Sequence, residues 1–218
     1  RPEATTSAAI LTRSVVSSIE SVRNSYQREA DSRIRPAILS AGRVGASFTG
    51  VTVMKAFSFA VLITAMVQSD FSVANVWENS HSLKPMLFKV TGAWGSHEGS
   101  MLLWVLILTF FGALVAAFGS NLPATLKANV IAVQGWIGAA FLLFVLTTSN
   151  PFARIDPAPI EGRDLNPILQ DVGLAVHPPL LYLGYVGFSI CFSFSVAALI
   201  DGRIDAAWAR WVRPWTLA

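Results

Sequence analysis

Residues 163–185 read Arg-Asp-Leu-Asn-Pro-Ile-Leu-Gln-Asp-Val-Gly-Leu-Ala-Val-His-Pro-Pro-Leu-Leu-Tyr-Leu-Gly-Tyr, and they lead into an uncharged apolar run that ends at Ile200. His177 is the only side chain between Val172 and Ile200 that ionises near neutral pH. Two prolines follow it, and a residue before a proline is pushed towards extended backbone. Prolines are nevertheless tolerated in the first turn of a helix. We therefore predict that His177 lies in extended backbone immediately before a membrane helix.

The predicted position of His177 suits a metal ligand. The positive end of a helix disfavours a protonated imidazole, and neutral imidazole is the form that ligates metal. The alternative is an interfacial histidine whose ring hydrogen-bonds a loop carbonyl. The two alternatives predict different chemistry, and the rest of the chain bears on the choice between them.

Composition indicates an integral membrane protein. Hydrophobic residues make up 53% of the chain and charged residues only 13%. Asp, Glu, Lys and Arg are absent from residues 99–126, 128–153 and 172–200. A membrane-spanning helix needs about 20 apolar residues, and each of these windows holds one, which excludes a soluble enzyme. Cys191 is the only cysteine, so the chain has no internal disulfide or cysteine zinc site.

We predict an all-α fold, a membrane helix bundle with about four transmembrane helices. The predicted spans, within a membrane domain of residues 49–218, are 51–68, 101–119, 130–147 and 180–200. Residues 1–48 form a polar N-terminal segment with seven arginines and four acidic residues. Its apolar side chains recur every three or four residues, which predicts an amphipathic helix that docks on a partner or on the membrane surface.

Positive residues predict the orientation of the spans. The two longer loops, residues 69–99 and 148–179, lie on one side and hold four Lys and Arg. The other side, formed by residues 1–50, 120–129 and 201–218, holds eleven. Because positive charge marks the cytoplasmic or matrix side, the longer loops are predicted to face the periplasm or the intermembrane space. All three histidines of the chain fall on that outer side.

A second candidate site precedes another span, in the motif Trp94-Gly-Ser-His97-Glu-Gly-Ser-Met-Leu-Leu-Trp104. Its glycines let the backbone turn closely, and Glu98 is placed to orient an imidazole, so His97 is a candidate ligand. The alternative is an aromatic belt with a helix cap, in which both tryptophans lie at the headgroups and Ser100 is the N-cap. The tryptophans suit both interpretations, and His97 is either a ligand or a structural hydrogen-bonding residue.

These motifs resemble the N-terminal region of the CcmF family, the haem lyase subunit of the system I cytochrome c maturation machinery. The resemblance rests on the motif 94–104, on Ser69-Asp-Phe-Ser-Val and Glu78-Asn-Ser-His81 before it, and on residues 162–185. It covers about residues 55–218. Within it, His81 is interpreted as a polar loop residue.

The resemblance implies a haem-handling membrane protein. The family receives haem from the haem chaperone CcmE and joins the haem vinyl groups to the cysteines of a CxxCH motif in apocytochrome c on the outer face. By its motif, His177 corresponds to the outer histidine that ligates the haem iron. His97, Trp94 and Arg163 are candidate haem-binding residues, and no catalytic side chain is predicted. Arg163, like Arg154, is placed to pair with a haem propionate, or else it carries a solvated loop charge.

Two departures from the family pattern predict one piece of a split protein that is inactive alone. The chain ends at Ala218, where the family runs into its Trp-rich segment, and residues 1–48 differ from the family's apolar first helix. Haem is therefore expected to be shared with a partner chain. The predicted partners are a complementary CcmF fragment carrying the Trp-rich segment, a CcmH-like subunit, CcmE, apocytochrome c and membrane lipid. The predicted location is the mitochondrial inner membrane, with a bacterial inner membrane as the alternative.

A different class of function also remains open, that of a structural or transport subunit without haem contact. Few ionisable residues apart from Lys55 lie inside the predicted spans, which argues against ion transport but not against scaffolding. In a scaffold, His97 and His177 merely cap loops. Nucleic-acid binding is not predicted, because the basic N-terminal residues are interleaved with acidic ones.

Overall fold

Helices account for most of the described structure. The computed structural model describes Ser21, residues 48–202 and residues 204–217. The helices are α1 (Phe48–Gln68), α2 (Ala74–Asn79), α3 (Met86–Gly92), α4 (His97–Phe118), α5 (Ala124–Thr147), α6 (Val172–Asp201) and α7 (Ala206–Leu217). Two short 3-10 turns, Gly119–Asn121 and Pro167–Leu169, and an isolated bridge between Val73 and Arg154 complete the secondary structure of these residues.

Four of the helices, α1, α4, α5 and α6, are long and apolar enough to cross a membrane. The predicted all-α membrane bundle is therefore confirmed, and the chain is a multi-pass membrane protein. Contacts divide the chain into Arg1–Ala41 and Gly42–Ala218, and helices α1 to α7 belong to the second unit. The amphipathic helix predicted within residues 1–48 lies outside the described residues.

Helix α6 begins at Val172, well before the predicted start near Leu180. The carboxylate of Asp171 caps it by accepting a hydrogen bond from the Leu174 N–H at 3.1 Å. The 30 residues of α6 are about 45 Å long at 1.5 Å per residue, whereas a hydrocarbon core is about 30 Å thick. At least one end of α6 therefore extends beyond the hydrocarbon into the headgroup layer.

The centre of the bundle is made by α4, α5 and α6, each of which packs on the other two. One apolar cluster joins α1, α2 and α4 around the fully buried Leu62, Met66 and Leu108. A second cluster joins α4, α5, α6 and α7 around Val130 and Phe194. The first cluster packs the spans together near the start of α4, and the second packs them together near the turn between α4 and α5 and near α7.

A buried polar network also joins the three central helices. Gln134 of α5 is fully buried, and its amide nitrogen donates to the Ser189 hydroxyl at 2.8 Å and to the Leu108 carbonyl at 3.3 Å. The Ser193 hydroxyl donates to the Gln134 amide oxygen at 2.7 Å. Hydrogen bonds of this kind add to packing between membrane helices, where burial of apolar surface supplies little driving force.

Replacing Gln134 with Leu should lower the free energy of unfolding by about 1 kcal/mol, because the two serines lose their partner on α5. The measurement is the unfolding equilibrium of the protein in bicelles by steric trapping. Ser195→Ala is the matched control, since the Ser195 hydroxyl is exposed and bonds only the Cys191 carbonyl of its own helix at 2.9 Å. Equal effects of the two substitutions would contradict a role for the network in joining the helices.

Candidate functional site

The segments that carry His97 and His177 meet at one end of the bundle. The Trp94 indole N–H, just before α4, donates to the Ala175 carbonyl near the start of α6 at 2.8 Å. This hydrogen bond joins the loop before α4 to the start of α6. The charge pattern places the loops before α4 and before α6 on one side of the membrane. We call these loops together the outer loops, residues 69–96 and 148–171.

His177 lies inside α6 rather than in extended backbone before it, so the predicted conformation was wrong. The Asp171 cap starts the helix at Val172, and His177 is the sixth helical residue. It therefore lies beyond the first turn, where the positive end of the helix acts, and the helix-dipole argument for a neutral ring no longer applies. Whether His177 can bind a metal is therefore decided by the exposure of its ring and by the groups around it.

The two prolines after His177 are accommodated by a contact from outside the helix. Pro179 has no N–H, so the Ala175 carbonyl loses the donor that a regular helix would supply four residues later. Ala175 is 4% exposed, and water is not a ready substitute donor. The Trp94 indole N–H takes the place of the missing amide. The sequence motif before α4 thus completes the hydrogen bonding of α6.

A second hydrogen-bonded contact joins the same two elements two turns further along α6. The Tyr182 hydroxyl donates to the Ser100 hydroxyl at 3.1 Å, and Ser100 donates to the Trp94 carbonyl at 2.7 Å. The Trp94 ring stacks on Phe59 of α1 with ring centroids 6.3 Å apart. Trp94 is thus held from both its backbone and its ring, and sequence reasoning did not identify Ser100 or Tyr182 as its partners.

The His177 ring is exposed on the other side of α6. With 3.6 residues per turn, Ala175 and Tyr182 lie within about 20° of each other around the helix, whereas His177 lies about 200° from Ala175. Within the described part of the chain, the His177 ring makes no hydrogen bond. Its nitrogens are therefore available to a ligand that approaches from outside the bundle.

His97 is the first residue of α4, and its ring is exposed. The ring meets Phe144 of α5 edge-on, with centroids 6.2 Å apart. The N-cap of α4 is Ser96, whose hydroxyl accepts from the Gly99 N–H at 3.0 Å, and not Ser100 as in the alternative interpretation of the motif. The physical reason is that Ser100 is already a full turn into the helix and bonds Trp94 instead. His97 and His177 share one end of the bundle, and neither ring bonds the other.

Arg163 is held above an aromatic ring. Its guanidinium carbon lies 4.1 Å from the centroid of the Trp77 ring, and its backbone N–H donates to the Trp77 carbonyl at 2.7 Å. Among the described residues the guanidinium makes no ion pair. By contrast, the Arg154 guanidinium pairs with Asp70 at 3.3 Å and contacts the Ser72 hydroxyl. Arg163 is thus the more available of the two arginines for an anionic partner.

The two outer loops are joined, at the residues next to Arg163, by close packing and by an ion pair. The Asp164 N–H donates to the Ser80 carbonyl at 3.1 Å, next to Gly162. A Cβ on Gly162 would lie 2.0 Å from that carbonyl oxygen, so only glycine fits there. The buried Lys84 ammonium pairs with the Asp164 carboxylate at 2.5 Å. Partial burial raises the pKa of Asp164, but the hydrogen bonds from Lys84 and from a backbone N–H outweigh it and hold the pKa below its usual range.

Glu161 adds a further contact between the outer loops. Its carboxylate accepts from the Ser82 hydroxyl at 2.6 Å and from the Ser82 N–H at 2.9 Å. These hydrogen bonds, with a third from the Gly162 N–H, lower the pKa of Glu161 to about 2. The carboxylate is therefore charged, and the contact complete, at neutral and mildly acidic pH.

A cavity of about 210 Å³ lies between the motif around Trp94 and the start of α6. Leu165, Leu174 and Pro178 give it apolar walls, and it also meets the buried Thr91, whose hydroxyl has no partner among the described residues. Pockets for drug-sized ligands begin at about 300 Å³, so a porphyrin does not fit inside this cavity. The His177 ring is exposed at the surface of this end of the bundle.

Comparisons with known proteins identify the family of the chain. Residues 94–218 match the family model described as Cytochrome C assembly protein. The cytochrome c-type biogenesis protein CycK of Rhizobium meliloti is 79% identical over 163 residues, which are 75% of this chain and 24% of CycK. CcmF of Escherichia coli is 52% identical over 162 residues, which are 74% of this chain and 25% of CcmF. A solved structure of the cytochrome c haem lyase CcmF matches with a TM-score of 0.66 and 25% identity, over 84% of this chain and 32% of that one.

The family model covers more than half of the chain, from Trp94 onwards, so the chain belongs to the cytochrome c assembly protein family. The predicted relationship to CcmF is confirmed. The chain spans about a quarter of the length of the curated relatives that it matches. Both histidine motifs lie within the matched segment.

Replacing Gly162 with Ala should separate the outer loops locally. The added Cβ displaces the Ser80 carbonyl, and overpacking of this kind costs about 1–3 kcal/mol, so the Asp164 amide should exchange about tenfold to a hundredfold faster. The measurement is amide hydrogen exchange in lipid nanodiscs. Gly184→Ala is the control, because nothing lies within 4 Å of a Cβ at Gly184. Unchanged protection of Asp164 in Gly162→Ala would contradict the packing described here.

Proposed function

We propose that this chain is a subunit of a cytochrome c haem lyase that holds haem on the outer membrane face through His177. The observation that carries the proposal is the exposed imidazole in the first turns of α6, which makes no hydrogen bond to any residue that the structure describes, on a chain of the cytochrome c assembly family. The relatives matched here include proteins named for cytochrome c-type biogenesis and for haem lyase. The length of α6 supports a position for His177 at the level of the lipid headgroups.

In this proposal, the residues of the chain bind the haem and orient it. The His177 ring offers a nitrogen lone pair to the haem iron, and imidazole is a common axial ligand of haem. Arg163 is available for a bidentate contact with a haem propionate, because it makes no ion pair within the described residues. His97 lies at the same end of the bundle and is proposed as a further haem contact. The bound haem supplies the vinyl groups to which the cysteine sulfurs of an apocytochrome become joined.

The orientation and the partners belong to the same proposal. The outer loops are poor in Lys and Arg. This low positive charge supports a position of the loops in the periplasm or the intermembrane space. The proposed partners are a complementary CcmF polypeptide, CcmE, a CcmH-like subunit and apocytochrome c. A bacterial or a mitochondrial inner membrane would serve equally well.

A transport subunit is the competing function, and the spans do not favour it. Away from the helix ends, the charged side chain within the four spans is Lys55 of α1. A proton or ion path would require further ionisable groups at membrane depth. The uncharged interior of the bundle suits a rigid support for groups at its outer end.

His177→Ala should abolish haem binding by the assembled complex and with it the covalent attachment of haem to apocytochrome c. The physical reason is the loss of the axial nitrogen, and the measurement is the haem absorption spectrum of the purified complex. His81→Ala is the control, because His81 lies in the same loops and its Nδ1 accepts from the Leu83 N–H at 3.2 Å. Haem content equal to that of the wild type in His177→Ala would refute the proposed ligand.

A further inference from the structure

We propose that Trp94, Ser100 and Tyr182 form a clamp that sets the position of His177, so that Trp94 is a positioning residue rather than a haem contact. The inference rests on the proposed role of His177 in binding haem and assigns to the motif before α4 a part in it. The clamp consists of the Trp94 indole bond to the Ala175 carbonyl and the Tyr182 bond to Ser100.

The clamp acts where α6 is intrinsically weakest. Pro178 and Pro179 directly follow His177, and each removes one helical hydrogen bond from the turn that carries it. A helix with unsatisfied carbonyls at such a point kinks or opens. The Trp94 indole restores a donor to one of the two carbonyls, that of Ala175. Without this donor the direction of the His177 side chain would not be defined by the helix itself.

The clamp holds this weak segment at both ends. Ala175 and Tyr182 lie on one face of α6, and their two bonds to the α4 motif enclose the residues between them. His177 lies on the other face, about 200° from Ala175 around the helix. Fixing the inner face therefore fixes the outward direction of the imidazole while leaving its nitrogens free.

The clamp is itself anchored in the rigid part of the bundle. The Trp94 ring stacks on Phe59, a buried residue of α1, and the Trp94 carbonyl accepts from Ser100 in the first turn of α4. A ligand to a cofactor needs to be held within about 0.5 Å of its productive position by such supporting contacts. The core formed by α1 and α4 thus sets the height of the imidazole on α6.

The test removes only the indole N–H. Benzothienylalanine, in which sulfur replaces the indole N–H, is incorporated at position 94 of the full chain in lipid nanodiscs. Without haem, the amides of Val176, His177, Leu180 and Leu181 should exchange about tenfold faster. The affinity for added ferric protoporphyrin IX should also fall about tenfold, as expected for one lost hydrogen bond to a buried carbonyl. Tyr182→Phe should change both quantities in the same direction.

Two controls use the same chemistry. Fluorotryptophan at position 94 keeps the N–H and should restore wild-type exchange and affinity. Benzothienylalanine at Trp104, whose ring packs on Phe141 at 4.0 Å, should change neither quantity. His177→Ala should lose the imidazole-ligated haem spectrum while its exchange rates stay close to wild type.

The outcomes separate the clamp from the proposed function. If benzothienylalanine at position 94 leaves exchange or haem affinity unchanged while His177→Ala loses haem, the clamp is wrong and the ligand assignment stands. If His177→Ala binds haem as the wild type does, the proposed function is wrong, and the positioning role falls with it. If benzothienylalanine at position 94 speeds amide exchange and weakens haem binding, and His177→Ala loses haem, the results support both the clamp and the proposed function.

Discussion

One buried carbonyl sets the main constraint on this structure. Pro179 removes the amide that would bond the Ala175 carbonyl, and a buried backbone carbonyl without a donor costs about 1–3 kcal/mol. The donor comes from Trp94, a residue 81 positions earlier in the chain. The long α6 helix can therefore carry two prolines near the membrane surface and still present an ordered first turn. The segment before α4 and the start of α6 are coupled because the Trp94 indole N–H supplies the hydrogen bond that the Ala175 carbonyl lacks.

This coupling organises the outer end of the bundle. The central helices are held together by apolar packing and by the buried Gln134 network. The outer loops are held by polar contacts, among them the Lys84–Asp164 ion pair and the Glu161 hydrogen bonds to Ser82. The apolar bundle thus supports the polar outer loops. At this end of the bundle, the Arg163 guanidinium and the His177 ring make no ion pair or hydrogen bond within the described residues, so both can contact a ligand. That division of labour fits a protein that holds a cofactor at the membrane surface.

Much of the fold could be predicted from the sequence, because charge-free windows and turn residues mark membrane spans directly. The early start of α6 was also encoded, since Asp171 before Leu174 is an N-cap pattern, but the local rule for residues before proline suggested an extended backbone. That rule is a steric bias, and the helix that starts at the Asp171 cap overrides it. The Trp94 indole meets the separate cost of Pro179, which is the missing donor to the Ala175 carbonyl. The Trp94–Ala175 bond could not be predicted, since no local pattern pairs an indole with a carbonyl in a distant loop. The same holds for Arg163, whose stacking on Trp77 depends on how the outer loops meet.

The distance between the Trp94 indole nitrogen and the Ala175 carbonyl carbon tests this account most directly. It can be measured by solid-state NMR on protein labelled with indole-15N tryptophan and carbonyl-13C alanine in lipid bilayers, with Trp94→Phe used to identify the signal. The 2.8 Å hydrogen bond and a carbonyl bond of about 1.23 Å place the two nuclei about 4 Å apart at most. A nitrogen–carbon dipolar coupling of that strength, lost in Trp94→Phe, is the predicted result. The absence of any such coupling in the wild type would show that α6 is not completed by Trp94.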